Sequence, residues 1–521
     1  MNPSGNPVLI VAFGEDENLG VGYLISVLKS AGVETIMIDF RRNNNEILEV
    51  IRRQNPITVG FSVIYEVYLD EFAQLTRFLR QNGIACHFTA GGYYASLHPE
   101  ELFRLIPEID TIVRFEGEHT FPELINCLRT NTGWKTVSNL AFRENGSVIM
   151  TPLRGLEMDI DSFPFPYKGK CEKYAMGKRY TTIIAARGCN YDCSFCNTRE
   201  FYRQAGGPLK RVRKPESVVS EMCHLYAEKK CSVFLFQDDD FPVRTSGSGS
   251  WIKSFCSELE NRGLKGKVMW KINCRPDEID RDTFGLMKQH GLYQLYTGLE
   301  DGTDEGLIRL NKRMTLDTGL QGVEILRNHE LDFDFGFMLF QPETTFGSLR
   351  ENLRYLELIC RDGYTPVTFL KIMPYFDTRV EKELRAQGRL KGNPGNLDYN
   401  FRAESLDDCW AAVSECFAEW LWGRRGVVNL SRWVRNYLAV GDFFWGPDPE
   451  LVVYRKKFRD TLARGNLFLT GSLTELFDYY ESGNYLKDEG KKREQIRSSA
   501  ETMNKQLGKS LKKILKNLQN H

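Results

Sequence analysis

The chain has 521 residues, 42% of them hydrophobic and 26% charged, with 69 basic side chains balanced by 69 acidic ones. This is the composition of a folded globular protein of about three domains, and the even balance offers no overall field to hold a polyanion such as nucleic acid. No stretch reaches the roughly 18 apolar residues of a membrane span, and the start, MNPSGNPVLIVAF, lacks the basic region of a signal peptide, which predicts a cytoplasmic protein with reduced thiols.

Residues 8–125 alternate β-rich runs with amphipathic segments. Strands are expected at 8–13, 34–40, 57–63, 85–92 and 111–116, separated by helical patterns such as GYLISVLKSAG and LDEFAQLTRFLRQNG. The alternation predicts a doubly wound parallel sheet over a first domain of residues 1–150, with ligands outside the carboxyl ends of the strands. Those ends carry small residues and turns: Leu19, Gly20, Ser62, Gly91, Gly92 and Gly117. Such positions either let a backbone approach a large flat ligand or make ordinary turns, and the residues alone leave both open.

A proline-bearing linker, 151–178, is followed by a second alternation. Its strands read 180–186, 233–237, 267–273, 292–299, 332–340 and 367–373, which predicts a partial (β/α)6 barrel of the TIM type over 179–392. The run TSGSGS at 245–250 reads as a loop. From 393 to 521 the pattern turns helical and aromatic and ends in a basic amphipathic segment, expected as a solvated surface helix.

Ten of the thirteen cysteines are scattered singly and read as small buried hydrophobes. The other three, Cys189, Cys193 and Cys196, fall within the stretch RGCNYDCSFCNT at the end of the first barrel strand. A structural zinc site closes with four ligands, and the nearest further candidates are Cys171 and His224. A cubane iron-sulfur cluster held by three cysteines leaves one iron open to substrate or cofactor. The next strand ends carry charge: Asp238, Asp239 and Asp240 in QDDDF, Arg275 in NCRPD and Glu300 in GLEDG. Each is either solvated or a ligand contact, and the recurrence at successive ends favours contact.

The CxxxCxxC spacing with an aromatic residue, Phe195, before the last cysteine resembles the radical SAM family. The resemblance implies a [4Fe-4S] cluster whose open iron chelates S-adenosylmethionine (SAM), an external electron donor of flavodoxin or ferredoxin type, and a 5′-deoxyadenosyl radical. It assigns Phe195, Asp238, Asp239, Arg275 and Glu300 to the SAM site and the segment GFMLFQPET to the neighbourhood of adenine.

Taken with the barrel, the segments LGVGYLISVLKSAGVET, VGFSVIY, TAGGYYASLHPEEL and RFEGEHTFPEL resemble the cobalamin-binding subclass of that family. This likeness implies cobalamin held by Leu19, Gly20, Ser62, Gly91, Gly92, Tyr93, Glu116 and Gly117. Two departures stand out. The loop GEDENLGVG has no histidine where a DxHxxG axial ligand would lie, and Phe115 replaces the glycine of an RGEGE-like segment.

The activity implied is methylation of an unactivated carbon on a small-molecule or peptide substrate. One SAM would charge cobalamin and a second would supply the radical. The alternative is a cobalamin-linked cyclase, ring-contracting or other non-methylating enzyme. RNA methylthiotransferases carry three cysteines in the first domain, whereas residues 1–150 hold only Cys86 and Cys127. A monomer that binds no nucleic acid is expected.

Overall fold

The structure is a computed structural model that describes residues 6–14, 17–169, 173–244, 250–488 and 490–520. Cys171 and residues 245–249 of the TSGSGS run lie outside the described residues.

The first sheet contains β1 (Val8–Ala12), β2 (Thr35–Asp39), β3 (Thr58–Ser62), β4 (His87–Gly91), β5 (Thr111–Val113), β6 (Leu140–Glu144) and β7 (Ser147–Met150). Its order is β2-β1-β3-β4-β5-β6-β7, parallel through β5 and antiparallel beyond it. Because β1 is covered on both faces, all five of its residues are buried and VLIVA reads as an unbroken apolar run. Alternate residues serve two cores: Leu9 and Val11 pack with Phe61 and Phe88, whereas Val8 and Ile10 pack with Leu28 and Phe121. The order reverses between β1 and β3, which places a crevice at their carboxyl ends. The antiparallel β6–β7 hairpin extends the sheet beyond the five strands expected.

The second sheet runs β15-β14-β13-β12-β9-β8. Its members are β8 (Tyr174–Ala175), β9 (Lys178–Ile183), β12 (Cys231–Phe236), β13 (Met269–Cys274), β14 (Leu292–Glu300) and β15 (Asp332–Phe337). Between β9 and β12 a small antiparallel pair, β10 (Ala186–Gly188) and β11 (Lys210–Val212), flanks the cysteine loop. The outer face is closed by helices: Trp270 is fully buried and lies 5.3 Å from Phe255 and 6.1 Å from Phe236.

The strand expected at 367–373 corrects to an extended segment joined to the sheet through a single bridge, Phe340 to Lys371. Pro366 and Pro374 bracket it, and a proline has no N–H to extend a ladder. The expected helical start at 393 falls inside a hairpin of β16 (Leu390–Asn393) and β17 (Asn396–Tyr399). Helices Glu404–Trp422, Val427–Trp445, Pro449–Glu481 and Lys491–Asn520 complete the chain. The last is amphipathic as expected, with Leu507, Leu511 and Leu518 fully buried on one side. Among the described residues no helix is long and apolar enough to cross a membrane.

Candidate active site

The carboxyl ends of the first sheet face the barrel across a cavity of about 910 Å³. Leu19, Gly20, Ser62, Gly91, Gly92, Tyr93, Glu116 and Gly117 all line it. The barrel contributes Thr182, Ile184, Arg187, Leu235, Gln237 and Asp239, and Phe201 and Tyr202 come from the helix after the cysteine loop. A space of this size suits a cofactor-sized ligand. Leu19 and Gly20 open the helix Leu19–Ser30, whose N-cap Asn18 accepts from Val21 N at 3.1 Å. No histidine lines the cavity among the described residues.

Local backbone geometry shapes this wall. Gly92 sits at φ 114°, and a Cβ there would come 2.6 Å from the Val63 carbonyl oxygen. Gly92→Ala is therefore expected to displace the β4 turn and, on the expectation that this wall holds cobalamin, to weaken its retention by about tenfold or more, read as cobalamin bound per chain after desalting. Phe115, which replaces the usual glycine, keeps the left-handed backbone at φ 61°. Its amide donates to Ser96 Oγ at 2.7 Å and its ring meets Phe201 at 5.3 Å edge-on. Tyr93 stacks on the same Phe201 with ring centroids 4.1 Å apart.

Buried polar contacts fix the two halves. Glu17 accepts from Thr182 N at 2.6 Å and from both threonine hydroxyls at 2.9 Å. Arg187 pairs with Glu116 at 3.1 Å and Glu118 at 2.7 Å, and Arg211 donates to Glu116 as well. Glu116 is thus engaged by the barrel. Burial raises its pKa, but the two guanidinium groups outweigh burial and hold the carboxyl below its usual range.

The cysteine loop begins at Gly188, whose φ is 86° and whose Cβ, if present, would overlap the Leu209 carbonyl oxygen. Glycine is thereby required before Cys189. Within the loop Cys196 N donates to Cys193 O at 3.1 Å, and Ser194 N donates to Leu310 O at 2.9 Å. Cys189 and Cys193 are half-buried and Cys196 is exposed. Burial pushes the Cys189 thiol up to about 12 and raises the other two. No group of three or more His, Cys, Asp or Glu converges on a single-ion site among the described residues. A cubane does not ask its cysteines to converge, since each binds a different iron. His224 is not a fourth ligand; it stands against Phe165 at 6.2 Å in a separate cleft.

Arg275 Nη1 to Cys193 Sγ is 4.0 Å, and its guanidinium lies 3.9 Å from the Tyr191 ring centre. Arg275 also binds Asp277 at 2.8 Å and donates to Lys312 O. Lys312 Nζ pairs with Glu300 at 3.3 Å, so Arg275, Lys312 and Glu300 gather around Cys193. Two cations here suit an anionic cluster with thiolate ligands.

The three aspartates separate. One oxygen of Asp238 accepts from Ala185 N at 2.9 Å and from Ala186 N, its other oxygen is buried without a protein partner, and burial pushes its pKa up to about 8. Asp239 faces the cavity and is pushed up to about 6, also by burial. Asp240 is tied to Lys210 at 2.6 Å. Phe195 is half-buried against the barrel core. Sequence reasoning named none of Glu17, Glu118, Arg187 and Lys312. Glu17 and Glu118 lie within the segments GEDENLGVG and RFEGEHTFPEL, Arg187 is next but one to Cys189, and Lys312 carries no local signal.

Known proteins agree with this architecture. The family model described as B12 binding domain matches residues 5–125, and that of the radical SAM superfamily matches 183–356. An uncharacterized methyltransferase of Pyrococcus horikoshii is 24% identical over 433 residues, covering 82% of this chain and 90% of its own. The anaerobic magnesium-protoporphyrin IX monomethyl ester cyclase of Cereibacter sphaeroides is 27% identical over 383 residues, 69% of this chain, which spans 60% of the cyclase. The fold also matches the solved cobalamin-dependent SAM radical enzyme OxsB with aqua-cobalamin and SAM bound. That match has a TM-score of 0.69 at 16% identity and covers 99% of this chain and 79% of that one. The two domains imply cobalamin, SAM and a [4Fe-4S] cluster as cofactors. The chain thus carries a B12 binding domain and a radical SAM domain that face one another across one shared cavity.

Proposed function

We propose that the protein moves a methyl group from SAM, by way of cobalamin, to an unactivated carbon of a small-molecule or peptide substrate, using an external flavodoxin- or ferredoxin-type electron donor. The reading is carried by the shared cavity, which is bounded by both strand-end sets and by the two flanks of the cysteine loop, Arg187 and Phe201. It is supported by the methyltransferase among its relatives.

In this reading Leu19, Gly20, Ser62, Gly91, Gly92, Tyr93 and Gly117 hold cobalamin, and Glu116 holds the barrel against it. Cys189, Cys193 and Cys196 hold the cluster, with Arg275 and Lys312 as its counter-charges. Asp239 is the acid of the QDDDF run that faces the ligand, while Asp238 orients the backbone ahead of the loop. When bound, the cluster and SAM supply a radical that takes hydrogen from carbon, and cobalamin supplies the methyl group that replaces it. Tyr93, Phe201 and Phe115 form an apolar wall that excludes water from the space between them.

The likeness to the cyclase favours a second reading, radical ring closure without methyl transfer. The test uses protein rebuilt anaerobically with its cluster and loaded with hydroxocobalamin. Retention of one cobalamin per chain and passage of labelled methyl from SAM into product are expected. Formation of 5′-deoxyadenosine and a product without label would establish the second reading. Loss of all cobalamin on desalting would overturn both.

A further inference from the structure

One rung of the barrel sheet runs in register through Thr182, Leu235, Lys271, Gln294 and Asp332. Thr182 and Leu235 line the cavity. Side chains at paired positions share a face, so Lys271 and Gln294 stand beside them on the inner side, while Trp270 and Ile272 point into the outer layer. Gln294 Nε2 donates to Asp334 Oδ2 at 3.0 Å, which places Asp334 on the same side.

Among the described residues no hydrogen bond or ion pair engages the Lys271 ammonium. The acid that acts on it is already taken: Asp334 is bound by the fully buried Arg435 and reached by Arg432 Nε at 3.4 Å. Arg432 comes from the helix Val427–Trp445, and its side chain is 33% exposed. Tyr296, on the next inner rung between Asn273 and Asp334, is 39% exposed, so the inner face is open here. Lys271, Arg432 and Arg435 face Asp332 and Asp334, and Arg455 and Lys288 add positive charge near Asp332, so cations outnumber acids here. Burial pushes the Lys271 pKa down, the signature of a cation short of counter-charge.

We propose that Lys271, with Arg432 beside it, receives an anionic group of the substrate, a carboxylate or a phosphate, inside the barrel. The proposal rests on the reading that substrate enters the barrel beside the cavity, which Thr182 and Leu235 of this rung line while Lys271 and Arg432 do not, and it adds the class of substrate to that reading. Leu235, Gln237 and Asp239 alternate along one face of the chain from β12 onward, and all three line the cavity. The Lys271 rung therefore lies four residues along the chain before Asp239, on the side of the barrel away from it. An anion seated there would offset the stranded charge and hold the rest of the molecule pointing up toward the radical.

The test is calorimetric binding of inorganic phosphate and of malonate to protein carrying cluster, cobalamin and SAM. At least one anion is expected to bind, with binding weakened about tenfold or more by Lys271→Met and retained by Lys271→Arg. Binding of phosphate alone would mark a phosphorylated substrate, of malonate alone a carboxylate, and either supports the site. No binding, or equal binding by Lys271→Met that still holds its cofactors, would overturn it. Cofactor content and substrate-free 5′-deoxyadenosine formation, read on the same samples, report on the functional reading separately.

Discussion

Cys193→Ala is expected to abolish SAM cleavage while leaving cobalamin binding intact. The thiol lies in the loop between β10 and the helix Thr198–Gln204, with Arg275 at 4.0 Å and Lys312 close by. With two thiols the cluster loses one of its three anchors, and two cations are left facing an empty place. The first sheet does not contact Cys193 through any hydrogen bond or ion pair among the described residues, so its fold is untouched. Iron content should collapse, and 5′-deoxyadenosine formation should fall below about one thousandth of the wild-type rate, about 4 kcal/mol of lost barrier lowering. Absorbance of bound cobalamin should stay at the wild-type level. A variant that kept its iron would overturn the assignment.

Arg187→Leu carries the largest expected cost in stability. The guanidinium is buried between Glu116 and Glu118, lies over the Tyr23 ring at 4.6 Å, and is held far into its charged form by the two carboxylates against the penalty of burial. Removing it strands the buried Glu118, which among the described residues keeps no other ion pair, while Glu116 keeps Arg211. Breaking a buried pair from one side costs about 3–5 kcal/mol. Chemical unfolding should show that loss, and adding Glu118→Gln to the variant should recover part of it, because the stranded charge is then gone. If the single variant unfolds like the wild type, the contact does not hold the two halves together.

Strand positions were legible wherever a parallel strand is covered on both sides, because VLIVA then has no solvent-facing residue to interrupt it, and VFLF stays apolar although Leu235 faces the cavity. The same reasoning overreached at 367–373, an apolar run that joins the sheet by a single bridge at Phe340 and leaves Leu370 49% exposed. It fell short at β6 and β7, whose Asn145-Gly146 turn, at φ 51° and 81°, is a hairpin signal hidden by an exposed second strand. In the site, the three cysteines announce themselves because they share one loop. Glu17 and Thr181 are 164 residues apart, and Lys312 follows Glu300 by a helix; neither pairing leaves a trace in local spacing. Phe115 was visible as a departure, but that it would keep the glycine-like backbone follows only from the packing of its ring on Phe201.

Around the cavity the contacts between the halves are one-sided in chemistry. The first sheet and its loops present acids, Glu17, Glu116 and Glu118, and the barrel answers with Arg187, Arg211 and threonine donors. Cut at the linker, each half would therefore carry a patch of like charge that has no partner and little water in the native chain. The two cofactor domains are not interchangeable modules on a tether. They are halves of one electrostatic joint, and a graft of either onto a foreign neighbour would succeed only where that neighbour brings the complementary charges.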